Sequence, residues 1–317
     1  MELIRRLESI QTQDCVVTIG SFDGIHLGHR ALIERLRSHA ATLKLPAIML
    51  SFEPLPREYL QTPELPARLT NFRERWRLVS ACGIERLWVL RFDERLRVLS
   101  GLQFMELLRT ARARVVVVGH DFHFGRGGEA SADWCAASAS KFGFEVDVVP
   151  PVRIDGERVS SGAVRAALLA GDFATAQRLL GRAYTMRGRV RPGNRLGRTL
   201  GFPTANLPVK RRRVPLAGVF AVRVRAAGLA WWPGVANLGT RPMVGGTQAL
   251  LEAHLFDFDD DLYGRELEVE FVAKLREELM FPSMEAMVLQ MQCDALDARR
   301  VLAVQPPVAK AAGKVIE

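Results

Sequence analysis

Along the chain the spacing of apolar residues changes near Met186, from a mixture of compact runs and helical repeats to strict alternation. Before that point Val16–Ile19, Ala47–Phe52, Arg86–Leu90, Val115–Val118 and Glu145–Val149 read as short buried strands. Between them, segments near 29–42, 71–82, 102–112 and 130–141 carry the helical period, and two more helical stretches follow at Ala163–Leu169 and Gly171–Leu180. Strands alternating with helices predict an α/β domain, a parallel sheet with helices on both faces. Beyond Met186, Phe220, Val222 and Val224 alternate with Ala221, Arg223 and Arg225, and Leu267, Val269 and Phe271 alternate with Glu266, Glu268 and Glu270. With glycine and proline turns between such strands, this half predicts an antiparallel β-barrel. After Phe281-Pro282 the helical period returns, and Met284, Met287, Val288, Met291 and Ala295 form a stripe expected to pack on the barrel. The expected organisation is a first domain over 1–184, a second over 185–304, and a disordered Pro-, Ala- and Lys-rich tail over 305–317.

Composition narrows the class. At 317 residues and 48% hydrophobic content the chain can bury a large core, and its length suits two domains. Residues 1–15 lack the apolar centre of a signal peptide, and no apolar run approaches the roughly 20 residues of a membrane span, so a cytoplasmic protein without a membrane partner is expected. Cys15, Cys82, Cys135 and Cys293 are scattered, which suggests reduced thiols. The net charge of +9 favours anionic partners. Its densest run, Lys210-Arg211-Arg212-Arg213, has no interleaved aromatics and reads as a solvated loop, so nucleic acid is not the expected partner. Nothing in the pattern specifies an oligomeric state.

Candidate chemistry begins where the first strand meets the first long helix, at Gly20-Ser21-Phe22-Asp23-Gly24-Ile25-His26-Leu27-Gly28-His29. His26 and His29 are three apart at a helix start, where they can meet one ligand beside unpaired backbone N–H groups. Gly20, Gly24 and Gly28 let the backbone approach a phosphate, and two imidazoles can hydrogen-bond its oxygens as charge develops. Four histidines, His26, His29, His120 and His123, also raise a zinc site, but they lack the spacing of zinc enzymes, and phosphate is the better ligand.

Two further stretches belong to the same half. Gly119-His120-Asp121-Phe122-His123-Phe124-Gly125 follows the Val115–Val118 strand, so Asp121 could accept from a ribose or base while Phe122 and Phe124 pack against rings. Ser160-Ser161 precedes a helix on which Arg165 lies one turn beyond Ser161, a second potential phosphate clamp. In the barrel half, Gly193–Thr199 is not a Walker A loop. If Gly201–Asn206 is extended, Thr204 and Asn206 share a face, and their hydroxyl and amide oxygens can share a Mg²⁺ with ATP phosphates and water. Glu252 lies opposite the apolar Leu251, Ala253 and Leu255, where its carboxylate could take the proton of an attacking hydroxyl.

These stretches carry a resemblance. The His-x-Gly-His loop, the Gly-x-Asp-Phe-x-Phe-Gly loop and the Ser-Ser-x-x-x-Arg helix start are similar, in this order, to the FMN adenylyltransferase module of bacterial FAD synthetases. Gly197–Asn206, Gly234–Pro242, the Glu252 strand and Asp261-Leu262-Tyr263-Gly264 resemble riboflavin kinase. The resemblance implies a bifunctional enzyme that phosphorylates riboflavin to FMN and adenylylates FMN to FAD with release of pyrophosphate. ATP is the co-substrate, Mg²⁺ the cofactor, and FMN and FAD the product flavins. It implies His26 and His29 on ATP phosphates, with Gly20, Phe22, Asp23, Gly24, Gly28, Asp121 and Phe122 around the nucleotide and flavin. Ser160, Ser161 and Arg165 close on pyrophosphate. In the kinase it implies Gly197, Arg198 and Asn237 in binding, Thr204 and Asn206 on Mg²⁺, and Glu252 as base. The chain departs from the family at Leu55, where His is usual, at Gly162, where Thr is usual, and at Met243, also for a Thr. The first two remove polar groups, so a kinase with an inactive first module is an alternative reading. A non-catalytic flavin- or RNA-binding protein is another.

Overall fold

The computed structural model describes residues 1–5, 13–60, 65–193, 196–211, 213–227, 229–243 and 246–304. It falls into two compact units, Met1–Pro66 with Phe72–Ser161, and Ala67–Asn71 with the chain from Gly162 on. The expected tail over 305–317 lies outside the described residues.

The main sheet of the first unit is built from β1 (Glu2–Ile4), β2 (Cys15–Ile19), β3 (Ala47–Phe52), β4 (Arg86–Leu90), β5 (Ala113–Gly119) and β6 (Glu145–Val149). They lie in the order β1-β4-β3-β2-β5-β6, every pair parallel. The helices are α1 (Leu27–Leu43), α2 (Phe72–Ala81), α3 (Gly101–Thr110) and α4 (Ala132–Ser138). Successive strand residues face opposite ways and both faces are covered. Val16, Met49, Leu87 and Val117 pack with Leu36 and Val79, while Val17, Leu50, Trp88 and Val116 pack with Met105, Leu108 and Cys135. Double coverage is why β2 to β5 appear in the sequence as largely apolar runs, whereas the edge strand β6 carries Glu145 and Asp147. β1 is too short to show a period, and the sequence pattern does not reveal it. The strand order reverses between β2 and β5, so the loops leaving their carboxyl ends flank the crevice where sheets of this kind bind ligands.

The second unit contains α5 (Ser161–Leu169, whose first residue belongs to the first unit), α6 (Phe173–Leu180), β7 (Thr185–Arg189), β8 (Ala205–Pro208), β9 (Gly218–Ala226), β10 (Trp232–Met243), β11 (Gly246–Leu255), β12 (Glu266–Arg276) and α7 (Met284–Val304). The order β7-β12-β9-β10-β11-β8 is antiparallel throughout. The Arg191 N–H, just past β7, donates to the Asn206 carbonyl of β8 at 2.9 Å and nearly closes the barrel. Leu207, Phe220, Val222, Leu251, Val269 and Phe271 fill it. The polar alternates form a cross-strand ladder, Arg223 to Glu270 at 2.7 Å, and Arg225 and Arg187 to Glu268 at 2.6 Å each. Phe173 of α6 stacks on Phe271 at 6.2 Å and meets Phe220 edge-on at 5.9 Å. Residues 162–180 therefore cluster with the barrel, although the pattern along the chain changes only after Tyr184.

Two expectations need correction. α7 does pack on the barrel, but through its C-terminal half: Ala295, Ala298, Val301 and Leu302 meet Ala221, Val235 and Phe256. Met284 is exposed and Met287, Val288 and Met291 are only half-buried. The basic run is not uniformly solvated. Arg211 is buried and donates to the Tyr184 hydroxyl at 3.1 Å, which in turn donates to the Leu69 carbonyl at 3.0 Å. Arg212 lies outside the described residues.

Candidate active sites

From β2 the chain reaches α1 through a tightly bent loop. Phe22 (φ 49°), Gly24 (φ 89°) and Ile25 (φ 44°) occupy the left-handed region, which is costly for Phe and for β-branched Ile. The Phe22 and Ile25 side chains are fully buried in the core beneath α1. Phe22 was expected in the binding set, but its ring backs His29 edge-on at 5.2 Å, because an apolar ring at this bend gains more from the core than from a phosphate cleft.

His26 caps α1. Its Nδ1 accepts the His29 backbone N–H at 3.3 Å, and its ring stacks on that of His29 with centroids 3.6 Å apart and planes 18° from parallel. Glycine at 28 permits this, since a Cβ there would sit 3.1 Å from His26 Nδ1. With Nδ1 as acceptor, a neutral His26 carries its proton on Nε2. The pair thus offers imidazole beside a helix N-terminus, a setting suited to phosphate.

The Ser161 hydroxyl donates to the Asp23 carbonyl at 2.9 Å, which joins the serine pair to the histidine loop. Asp23 is buried and Ser160 half-buried. Arg165 donates to the Ala67 carbonyl. At the end of β5, the Asp121 carboxylate pairs with Arg158. Phe122 stacks on Phe124 at 5.2 Å, and Phe124 is buried against Phe104, so of these two rings Phe124 is core. Leu55 is also buried, at the start of a short helix, with its N–H on the Glu58 carboxylate at 3.1 Å. Among the described residues no three His, Cys, Asp or Glu side chains gather to hold a metal.

Arg75, on α2, is a residue the sequence reading missed. It is buried, and its guanidinium meets Ser21, Phe52 and Glu53. Its signal was its place on the apolar face of α2, three residues after Phe72 and four before Val79.

In the second unit, cross-strand register assembles the site. Asn206 of β8 is paired with Glu252 of β11, and Glu252 with Asn237 of β10, so the three stand abreast on one face. The Asn206 Nδ2 donates to the Thr204 carbonyl at 3.3 Å, which leaves the amide oxygen for a cation. Gly193 lies against that amide, where a Cβ would come 2.7 Å from Nδ2. A cavity of about 550 Å³ is lined by Thr204 and Asn206 together with Asp259, Asp260, Asp261 and Tyr263. Glu252 does not line it, although its neighbours Ala253 and Leu255 do. The Gly197 carbonyl accepts from Leu200 and Phe202, and the Arg198 side chain lies outside the described ones. Asn237 Nδ2 donates to the Glu278 carboxylate at 3.3 Å, a partner no motif announces. His254 donates through Nδ1 to the Pro203 carbonyl at 2.9 Å and packs on the Phe202 ring at 5.2 Å, which ties the Glu252 strand to the segment before Thr204.

The chain matches the family model described as FAD synthetase over residues 8–163 and that described as riboflavin kinase over 180–302. The bifunctional riboflavin kinase/FMN adenylyltransferase of Pseudomonas fluorescens is 44% identical over 308 residues, 96% of this chain and 98% of the relative. The protein of the same description from Escherichia coli K12 is 40% identical over 312 residues, 97% of this chain and 100% of the relative. A crystal structure described as a macrolide-efflux protein from Streptococcus pneumoniae is 31% identical, with a TM-score of 0.77, covering 94% of this chain and 98% of that one. Among the described residues, no helix is long and apolar enough to cross a membrane.

Proposed function

The chain belongs to the family of bifunctional riboflavin kinases and FMN adenylyltransferases, and on that premise we propose which of its residues perform each step. The enzyme phosphorylates riboflavin to FMN with one ATP and transfers AMP from a second ATP to FMN, giving FAD and pyrophosphate.

For the kinase, the observation that carries the assignment is the row Asn206, Glu252, Asn237. Glu252 accepts the riboflavin 5′-hydroxyl proton as that oxygen attacks the γ-phosphorus, and the bond to the β,γ-bridging oxygen breaks to release ADP. Thr204 and Asn206 would hold Mg²⁺, because their hydroxyl and amide are hard oxygen donors at the cavity wall. The ion would supply neutralisation of phosphate charge. Asn237, oriented by Glu278, and the Gly197 loop with Arg198 contribute to substrate binding.

For adenylyl transfer, an FMN phosphate oxygen attacks the α-phosphorus of ATP and pyrophosphate leaves. A phosphate nucleophile needs no base at neutral pH, so the task is positioning and charge stabilisation. His26 and His29 hold ATP phosphate oxygens, with Gly20, Gly24 and Gly28 keeping the loop clear and the Ser161 hydroxyl holding its Asp23 carbonyl. Asp23 and Phe22 shape the loop from behind, Asp121 and Phe122 contact nucleotide or flavin, and Ser160, Ser161 and Arg165 engage pyrophosphate. Dependence on ATP supports a cytoplasmic place of action, with riboflavin, FMN and ATP as the partners.

The test is to incubate the protein with riboflavin, ATP and Mg²⁺ and separate the flavins by chromatography. FAD is the expected end product. Accumulation of FMN alone would mean that the first unit, with Leu55 and Gly162, does not turn over.

A further inference from the structure

The loop from β2 to α1 carries three left-handed residues and both site histidines, so its shape must be imposed from outside. Core burial of Phe22 and Ile25 anchors its middle. Its beginning is held by Arg75, whose side chain is 1% exposed. Arg75 Nη1 donates to the Ser21 carbonyl at 2.9 Å. Nη2 donates to the Phe52 carbonyl at 3.1 Å and to the Glu53 carboxylate at 2.7 Å. The Ser21 carbonyl also accepts the Ser51 hydroxyl at 3.4 Å. One guanidinium thus binds the second residue of the histidine loop to the carboxyl end of β3.

Burying a cation is expensive, and a site that needed only filling would be served better by a side chain such as Met. An aliphatic side chain cannot hold the carbonyls of a loop and of a neighbouring strand end. Neither can a lysine reproduce the arrangement, because its single ammonium lacks the planar fork that reaches Ser21 on one nitrogen and Phe52 with Glu53 on the other.

We propose that Arg75 is a positioning residue for adenylyl transfer, clamping Ser21 to β3 so that the strained loop presents His26 and His29 to the ATP phosphates. This rests on the reading that those histidines act on ATP. Arg75 spends its guanidinium on Ser21, Phe52 and Glu53, and acts by setting where the imidazoles stand.

The full-length enzyme supplies its own control, since riboflavin phosphorylation belongs to the other unit. In Arg75→Met, kcat for FMN adenylylation should fall about 10²-fold, the loss that a misplacement of about 1 Å brings. KM for FMN and the kinase rate should stay near wild type, and Arg75→Lys should fall between. His26→Asn should lower adenylylation by itself, and adding Arg75→Lys or Arg75→Met to it should cost little more, because the two act through one device. The proposal is overturned if Arg75→Lys matches wild type, or if either Arg75 substitution costs the same factor with and without His26. If Arg75→Met does not fold, the Arg75→Lys chain and its double variant decide. Wild-type adenylylation in His26→Asn would overturn the histidine reading itself. Loss in His26→Asn with none in the Arg75 variants overturns this proposal alone.

Discussion

Asn206 and Glu252 are directly opposed across the antiparallel pairing of β8 and β11, although 46 positions separate them in the chain. A directly opposed pair shares a face of the sheet with Cβ atoms roughly 5 Å apart, so the proposed cation ligand and the proposed base are side by side by register alone. Asn237 occupies the same level on the other side of Glu252.

Replacing Glu252 with Gln keeps the shape and removes the proton acceptor. FMN formation from riboflavin should fall roughly 10²–10⁴-fold, the usual worth of a general base, while supplied FMN is converted to FAD at the wild-type rate. Chromatography of the flavins from each substrate checks this. Equal loss of both steps in a folded variant would sink the two-site assignment.

Gly193→Ala places a methyl group against the Asn206 amide, 2.7 Å from Nδ2 before any relaxation. As an outer-shell disturbance it should raise the Mg²⁺ concentration for half-maximal FMN formation about 10-fold or more. Asn206→Ala should raise it further. A Mg²⁺ titration that is unmoved in both variants would remove Asn206 from the cation site.

His254 links the base strand to the segment preceding Thr204 through its hydrogen bond to Pro203. His254→Ala should slow the kinase about 10-fold, roughly the worth of 1.4 kcal/mol, by freeing that segment. Asn can supply an N–H close to where Nδ1 stands, so His254→Asn should recover most of the rate. Steady-state kinetics of both variants decide, and equal rates in Ala and Asn would show that the hydrogen bond does not matter.

Cys15 and Cys135 are buried, and burial pushes their thiols up to about 12 and about 11, with the Asp14 charge adding to the shift at Cys15. Near neutral pH they should resist iodoacetamide until the first unit unfolds, while exposed Cys293 reacts; peptide mass spectrometry reads the order. Because the folded state keeps these protons where the unfolded chain releases them, the stabilisation is fully present below an ordinary thiol value of about 9. It is lost as pH rises through about 11 and then about 12, by at most about 1.4 kcal/mol per pH unit for each thiol. Melting temperature should therefore fall more steeply with pH above 9 in the wild type than in a Cys15→Ala, Cys135→Ala variant.

The sequence by itself determined what is local or periodic. Covered on both faces, β2 to β5 had to be largely apolar, and in the barrel the inward Phe220, Val222 and Val224 and the inward Leu267, Val269 and Phe271 had to alternate with outward residues. His26 and His29 are legible because helical spacing alone brings them together, and Thr204 and Asn206 because they are two residues apart. Only the tertiary structure decided which distant residues meet. The row Asn206, Glu252, Asn237 depends on strand register, which a period of two leaves open by any even shift. Arg211 and the Arg158–Asp121 pair look like ordinary surface charges in the sequence, and Arg75, though on the apolar face of α2, does not announce its partners; Arg75 and Arg211 are buried because fixed carbonyls or a hydroxyl receive them. The burial of Phe22 is hidden for the converse reason, since a glycine-rich loop gives no sign that its one aromatic turns inward. Hydrogen bonding and burial between segments far apart in the chain are three-dimensional, and residue spacing does not encode them.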